Sequence, residues 1–152
     1  MLSLRLLLKI RRTMADVFSK EKRSEVMKLI HGKNTQPEIL VRKYLFSSGL
    51  RYRLHVESLP GKPDIVFKKT KTIIFINGCF WHGHRNCKFS KIPATNKAYW
   101  SNKISQNIQR DHKVIRMLRM EGWRIIIIWE CMLRPSRRDK SLSKLYKDIQ
   151  RT

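Results

Sequence analysis

Residues 72–87 read TIIFINGCFWHGHRNC, a mostly apolar run that leads directly into a segment rich in cysteine, histidine and aromatic residues. The run TIIFIN (72–77) predicts a buried strand near the centre of a sheet, because neither of its faces carries a charge. The segment that follows therefore begins at the end of a buried strand. Cysteine and histidine bind metal ions and the Phe-Trp pair offers a flat apolar surface, so two kinds of chemistry meet at one point of the chain.

Three further strands are predicted around this run. DIVF (64–67) precedes it across the basic turn KKTK, RYRLHV (51–56) alternates apolar and polar residues, and WRIIIIW (123–129) is a second buried strand. A long helix is predicted from about Asn96 to Glu121, with apolar residues at helical spacing and Gly122 after it. A strand, a helix and a second buried strand in succession indicate a crossover that joins two parallel strands.

Shorter helices complete the predicted fold. Thr35-Gln-Pro-Glu38 is a helix start with a capping residue and a glutamate three positions later, and the helix continues to about Ser48. Further helices are predicted over 20–29 and 141–149. The fold class is α/β, with a small mixed sheet flanked by helices on both sides, in a single domain of residues 14–152.

The charge of the chain indicates what it binds. Its 152 residues include 34 Lys and Arg against 11 Asp and Glu, a net charge of +23. Such an excess attracts polyanions, which makes nucleic acid the leading partner. An anionic membrane surface is the rival interpretation, but no segment has the pattern of a basic amphipathic anchor, so we expect no membrane partner.

The first residues, MLSLRLLLKIRRT (1–13), form a short leucine-rich run that Arg5 interrupts. The run is too short to span a bilayer and lacks a cleavage site, which disfavours a signal peptide. We interpret 1–13 as an extension or a disordered arm before a second possible start at Met14. Without a secretory signal, the odd number of cysteines disfavours a disulfide framework, and a cytoplasmic location is expected.

The cysteines instead suggest a metal site. Cys79, His84 and Cys87 have the spacing C-x4-H-x2-C, and Cys131 follows the strand 123–129. If the two buried strands are parallel neighbours, Cys131 reaches the same loop and completes a Cys3His set, which is typical of structural Zn²⁺. His82 competes with His84 as the histidine ligand. The alternative is that the cysteines are small buried apolar residues.

Acidic residues are scarce, which narrows the search for a catalytic site. Asp64 begins a strand after Pro-Gly-Lys-Pro, as in the metal-binding corner of restriction-endonuclease-like nucleases, where it would hold a divalent cation. The second strand lacks the acid-x-Lys of that superfamily, and His82 can take the proton-transfer role of the lysine. Glu38 can face the site from its helix, or it can simply cap that helix. Asp64 also has an alternative interpretation, as a turn or strand-capping residue.

The loop aromatics are the remaining candidates. Phe80 and Trp81 lie inside the segment that a metal would fix, and a rigid aromatic wedge can enter a base stack in DNA. Burial beside the metal is the alternative for each ring.

Five motifs together resemble the very-short-patch repair endonucleases. They are LPGKPDIVF, INGCFWHGH, KIPATN, YW and IIWEC, in this order, and the resemblance extends from Met14 to about Arg134. It implies a restriction-endonuclease-like fold with a structural zinc, and Mg²⁺-dependent nicking of nucleoid DNA. The nick would lie 5′ to the thymine of a T:G mismatch left by deamination of 5-methylcytosine. A monomer is expected because one nick needs one site, and other repair proteins are possible partners.

The resemblance also implies roles for individual residues. Asp64 and the backbone carbonyl of Ile76 would hold Mg²⁺, His82 would be the catalytic histidine, and Glu38 and Asp111 would lie near the metal. The zinc ligands would be Cys79, His84, Cys87 and Cys131. The residues expected to meet DNA are Phe80, Trp81 and Trp100 as intercalating aromatics, Met27 and Ile30 from the other groove, and Asn77 and Asp111.

Two features depart from the family pattern. Asn77 stands where the family can carry a histidine, and Arg85-Asn86 lengthens the gap before Cys87. Two rival hypotheses remain at this point: a nuclease of the same fold with a restriction or mobile-element target, and a non-catalytic zinc-stabilised DNA-binding module.

Overall fold

The structure is a computed structural model that describes residues 34–151. In chain order its elements are α1 (Gln36–Ser47), β1 (Ile65–Phe67), β2 (Thr72–Asn77), a 3-10 turn (Lys88–Ser90), α2 (Lys97–Met120), β3 (Arg124–Trp129), a second 3-10 turn (Glu130–Leu133) and α3 (Arg138–Gln150). The predicted helix over 20–29, the arm 1–13 and the candidate residues Met27 and Ile30 lie outside the described residues.

The sheet has three strands in the order β1-β2-β3. β1 and β2 pair antiparallel with Ile65 opposite Ile74, and β2 and β3 pair parallel with Asn77 opposite Trp129. β2 is the central strand, as its lack of charge predicts. The parallel pairing confirms the predicted crossover through α2, and it brings the carboxyl ends of β2 and β3 to one edge of the sheet.

Helices cover both faces of the sheet, as predicted. On one face, α1 contributes Val41 and Leu45 and α3 contributes residues such as Leu145 to a core with alternate residues of the strands. On the other face, Leu118 and Val114 of α2 pack on Ile73 and its neighbours. Because side chains alternate along a strand, the two faces of β2 serve two separate apolar clusters.

The start of α1 follows its sequence signals. Thr35 is the N-cap, and its hydroxyl accepts a hydrogen bond from the Glu38 N–H at 3.5 Å. The Glu38 carboxylate in turn accepts from the Thr35 hydroxyl at 2.9 Å and from the Asn34 N–H at 3.0 Å. This is a variant of the capping box in which the glutamate bonds to the residue before the cap.

The predicted strand over 51–56 is wrong. Only Arg53 pairs with β1, through two backbone hydrogen bonds to Val66 of 2.9 and 2.8 Å. The alternation of residues misled the prediction because Leu54 is exposed and His55 adopts a left-handed backbone with φ of 46°. A left-handed residue cannot continue a strand, so the segment turns away and its histidine faces α1.

Candidate active site and metal centre

Four possible metal ligands meet where β2 and β3 end. The ligand atoms of Cys79, His84, Cys87 and Cys131 all lie within 4.8 Å of one another. The parallel pairing of β2 with β3 brings Cys131 to the loop, and His84 rather than His82 joins the cluster. The ring of His84 stacks on Trp129 with centroids 4.1 Å apart and planes 3° apart, which fixes its orientation.

The spacing of these atoms fits a tetrahedral metal. His84 Nδ1 lies 3.5 Å from the sulfur of Cys79 and 3.4 Å from that of Cys131. Zinc bonds of ~2.3 Å to sulfur and ~2.0 Å to nitrogen in a tetrahedron place the two ligand atoms about 3.5 Å apart. Burial raises the pKa of the Cys79 and Cys131 thiols and lowers the pKa of His84. The positive charge of a bound cation offsets the cost of burying thiolates. It therefore favours loss of the proton from a ligating thiol.

The loop between these ligands also packs on α2. The Trp81 carbonyl accepts a hydrogen bond of 3.0 Å from the Asn107 side chain, and the His84 N–H donates to the Cys79 carbonyl. Gly83 has φ of 58°, and a Cβ there would lie 2.5 Å from the Cδ1 of Ile108. Glycine is therefore required both by the backbone conformation and by the close approach of the loop to the helix.

Asp64 lies at the antiparallel edge of the site. Its Oδ2 accepts a hydrogen bond of 2.7 Å from the backbone N–H of Ile76. Burial raises the pKa of Asp64 to about 6; the Ile76 hydrogen bond lowers it, the Glu38 carboxylate raises it, and Arg42 and His82 lower it. The charges of the Glu38 carboxylate, the Arg42 guanidinium and the His82 imidazole therefore all act on the ionisation of Asp64.

His82 pairs with an acid from another element. Its Nδ1 lies 2.5 Å from Oδ2 of Asp111 on α2, and both side chains are about one quarter exposed, at 25% and 23%. Since a carboxylate accepts hydrogen bonds, this contact places a proton on Nδ1. In the neutral tautomer with its proton on Nδ1, the other ring nitrogen, Nε2, is a hydrogen-bond acceptor.

Three of the predicted aromatic residues form one cluster. The Phe80 ring centroid lies 5.2 Å from that of Trp81 and 5.3 Å from that of Trp100, and the two tryptophans are 5.9 Å apart, all edge to face. Each ring is half-buried, so the cluster both packs on itself and presents a surface. Asn77, by contrast, is buried at 8% exposure at the end of β2.

Sequence reasoning missed three residues of this region. Tyr99 packs on Trp100 at 5.1 Å and is 61% exposed, so it extends the aromatic surface. Arg42 and His55 join Glu38 behind Asp64. The position of Arg42 four residues after Glu38 on a predicted helix was the available signal for that ion pair. No sequence signal pointed to His55.

The architecture defines a class of protein before any comparison. A small mixed sheet lies between helices, an aspartate opens the edge strand, and a histidine stands on the loop after the central strand. This is the arrangement of the restriction-endonuclease-like nucleases, with an added cluster of cysteines and histidine.

Comparison with known proteins identifies the family. Residues 15–88 match the model of the family described as DNA mismatch endonuclease Vsr. The chain is also 43% identical over 121 residues to the DNA mismatch endonuclease Vsr of Escherichia coli (strain K12), a match that covers 80% of this chain and 77% of that protein. The chain therefore belongs to the DNA mismatch endonuclease Vsr family, and it is a DNA endonuclease.

Two further relatives have other names. The chain is 49% identical over 121 residues to the type II nicking enzyme V.NmeAIP of Neisseria meningitidis, with 80% of this chain and 86% of that protein covered. It is 45% identical over 120 residues to the type II nicking enzyme V.XorIIP of Xanthomonas oryzae pv. oryzae, with 79% and 88% covered.

These findings confirm the resemblance and the predicted fold class, and they set aside a non-catalytic DNA-binding module. Within residues 34–151, no helix has the length and apolar character needed to cross a membrane. The extent of the domain stays a prediction, as do the role of each site residue and the Ile76 carbonyl as a ligand.

Proposed function

We propose that this enzyme nicks duplex DNA 5′ to the thymine of a T:G mismatch, with Mg²⁺ as its cofactor. One observation carries the proposal. Asp64, the His82–Asp111 pair and the aromatic cluster all lie at the edge where β2 ends. A cation site, a proton acceptor and a stacking surface are what cleavage beside a deformed base pair requires.

Asp64 fits a divalent cation. Burial of its carboxylate raises the pKa of Asp64 to about 6, so a bound cation would stabilise the ionised form against the cost of burial. Mg²⁺ prefers carboxylate and carbonyl oxygens, which Asp64 and the Ile76 backbone would supply. When bound, the ion would stabilise the charge that develops on the scissile phosphate.

His82 would act as the general base. The short contact with Asp111 supports the tautomer with a proton on Nδ1, which leaves Nε2 able to take a proton from the attacking water. Asp111 would orient the imidazole and stabilise its charged form, and this role would replace the DNA contact expected from the sequence. The division of roles resembles that of aspartate and histidine in other hydrolases.

Phe80, Trp81 and Trp100 would form the wedge that enters the DNA stack. Unstacking costs a few kcal/mol and costs least at a mismatch, so the wedge would favour mismatched sites. A wedge that is already rigid adds little ordering cost when DNA binds. Zn²⁺ in the Cys3His cluster would supply that rigidity, since the loop carrying the aromatics lies between two of the ligands.

The zinc assignment has a direct test. Cys131→Ser should lower the zinc content of the purified protein well below one ion per chain and lower its unfolding temperature, because one of the four ligands is lost. Full zinc occupancy in this variant would remove Cys131 from the ligand set.

The specificity is tested with matched pairs of end-labelled duplexes. They are identical except for T:G or C:G at one position, with the flanking sequence varied and with Mg²⁺ or EDTA present. The proposal predicts one Mg²⁺-dependent nick beside the mismatched thymine and none in the matched duplex. Equal cutting of both duplexes would reject it.

A second target is favoured by the names of two relatives, which are type II nicking enzymes. Under this alternative the enzyme serves one restriction or mobile-element sequence and ignores mismatches elsewhere. The varied flanks separate the two: nicking of T:G in one sequence context alone would indicate such a dedicated target. Cytoplasmic placement, monomeric action and recruitment by other repair proteins stay predictions.

A further inference from the structure

Arg42 lies in a partly buried polar network at the start of α1. One of its terminal nitrogens, Nη2, donates to Oε2 of Glu38 at 2.7 Å and contacts Nε2 of His55 at 3.2 Å. The other, Nη1, donates to Oδ1 of Asn34 at 2.7 Å. The side chain is 11% exposed and that of Glu38 is 5% exposed, so the pair is largely withdrawn from water.

The donor and the acceptor in the contact with His55 follow from the chemistry of the two side chains. A guanidinium carries five N–H donors and no acceptor, so Nε2 of His55 must accept from Nη2. His55 thus serves as a hydrogen-bond acceptor for Arg42. It can reach Arg42 because its left-handed backbone, with φ of 46°, ends the pairing with β1 and turns the chain.

Holding Arg42 in this place has a cost. Its Nε is buried, and it has no hydrogen-bond partner within residues 34–151. A buried donor left unsatisfied destabilises a fold, whereas a leucine or methionine at the same position would need no partner. The guanidinium is retained at this cost because it pairs with the buried Glu38 carboxylate, which an apolar side chain would leave without a partner.

Arg42 acts on both carboxylates of the site. Glu38 lies on the buried face of α1, and this face packs in one core with Ile65 and Ile76, which lie next to Asp64. The Glu38 carboxylate and the Arg42 guanidinium are near enough to act on the charge of Asp64 in opposite directions. Arg42 thus offsets one of two negative charges that lie close together. It also holds Glu38 in place, together with the Thr35 hydroxyl and the Asn34 N–H.

We propose that Arg42 is a positioning residue of the nuclease centre, which fixes the Glu38 carboxylate beside Asp64 and sets how strongly the pair attracts a divalent cation. The inference rests on the proposed Mg²⁺ site at Asp64. Arg42 would contribute through two properties, the shape of its guanidinium and its positive charge. The fork of Arg42 fixes geometry, and its charge tunes the affinity of the site for the cation.

Two substitutions separate charge from geometry. Arg42→Met removes both, so Mn²⁺, used as a paramagnetic probe counted by electron paramagnetic resonance, should bind about three- to tenfold more tightly. Nicking of the T:G duplex at saturating Mg²⁺ should fall about 10- to 100-fold, because Glu38 loses its anchor. Arg42→Lys keeps the charge without the fork, so it should slow nicking comparably while Mn²⁺ affinity stays near that of the wild type.

Lys43→Met is the matched control. Lys43 is the next residue of α1 and is exposed, so its loss changes the net charge equally without touching the network. It should leave Mn²⁺ affinity and nicking unchanged. If Arg42→Met does not fold, Asn34→Ala serves instead, since it removes one acceptor of Arg42 and keeps every charge. It should slow nicking without tightening Mn²⁺ binding.

The results separate this inference from the proposed function. Arg42→Met that binds Mn²⁺ and nicks like Lys43→Met would overturn the role of Arg42. So would Asn34→Ala that nicks at the wild-type rate, in the case where it replaces the methionine variant. Wild-type protein that nicks without any divalent cation would instead overturn the Mg²⁺ site at Asp64, whatever the variants do.

Discussion

At the scale of single residues, the centre depends on pairs of side chains that hold one another in place. Asp111 holds His82 from α2, and Arg42 holds Glu38 within α1. In each pair one member would face the reaction while the other fixes its orientation and charge. A charged hydrogen bond holds the functional side chain in one rotamer. The reacting group therefore keeps a fixed position and orientation.

The His82–Asp111 pair leads to a graded prediction. His82→Ala should lower single-turnover nicking about 10²- to 10⁴-fold, because the general base is lost. Asp111→Asn should lower it less, about 10- to 10³-fold, because the imidazole stays but loses its oriented tautomer. DNA affinity should hardly change in either variant. His112→Ala, an exposed neighbour on α2, is the control; a loss as large in that variant would mean that α2 itself is disturbed.

When no Mg²⁺ is bound, the partly buried Asp64 carboxylate should lower the stability of the folded protein. Its pKa is raised from 3.8 to about 6, mainly by burial, so the folded state binds a proton that the unfolded state releases between these values. Stability therefore decreases as pH rises from 3.8 towards 6, and the cost is complete above that range.

Asp64→Asn removes this cost, and its side-chain oxygen can still accept from the Ile76 N–H. At pH 7.5, in buffer without Mg²⁺ and without a chelator that would remove zinc, we expect the unfolding temperature to rise by about 2–4 °C. The gain should fade as pH falls from 6 to 4. A scanning calorimetry series over this range measures it, and a lower unfolding temperature at pH 7.5 would contradict the assigned environment of Asp64.

At the scale of elements, the loop after β2 depends on two supports, the cluster of metal ligands and the face of α2. Sequence reasoning predicted the cluster from the local C-x4-H-x2-C spacing and from the parallel strands that bring in Cys131, but the spacing did not decide between His82 and His84. It also predicted α1, whose capping residues are neighbours in sequence. It failed at 51–56, where the alternating pattern carries no sign of the left-handed His55. It also missed that Asp111 would meet His82, since that contact depends on how α2 packs.

A pair of glycines tests the second support of the loop. Gly83 and Gly49 both have positive φ, of 58° and 82°, so alanine is strained at each. A Cβ at Gly83 would also collide with Ile108, whereas a Cβ at Gly49 has nothing within 4 Å.

Gly83→Ala should therefore destabilise the protein by about 1–3 kcal/mol more than Gly49→Ala. It should also slow nicking, because the loop that carries His82 must shift. Urea unfolding and the nicking assay measure the two effects. Equal losses in both variants would show that packing against α2 does not support the loop.

At the scale of the whole molecule, the dominant property is the charge of +23. Contacts to phosphates release counterions, which gives affinity for DNA. They do not depend on the base sequence, so the positive charge gives little selectivity. Selectivity would come from the aromatic cluster and the cost of deforming the duplex. Composition alone predicted the first property. The sequence and the family resemblance named the three aromatic residues of the wedge, but only the fold shows that Trp100 contacts Phe80 and Trp81, because the start of α2 lies beside the loop.

If charge gives the affinity and the aromatic cluster gives the selectivity, salt should change the first and not the second. Affinity for both a T:G and a C:G duplex should fall steeply as NaCl rises from 50 to 200 mM, with the same slope in a plot of log affinity against log salt. The preference for the mismatch should stay constant, because unstacking does not depend on counterions. Fluorescence anisotropy titrations measure both. A preference that disappears with rising salt would mean that charge contacts, and not the wedge, select the mismatch.

The most direct test of the central claim, that Asp64 and His82 form the nuclease centre, compares Asp64→Ala with the wild type on one T:G duplex. Single-turnover nicking in Mg²⁺ and binding affinity in Ca²⁺ are measured side by side. The variant should no longer nick, while its affinity should stay within about threefold of the wild type because the phosphate and aromatic contacts remain. A variant that still nicks at a similar rate would contradict it.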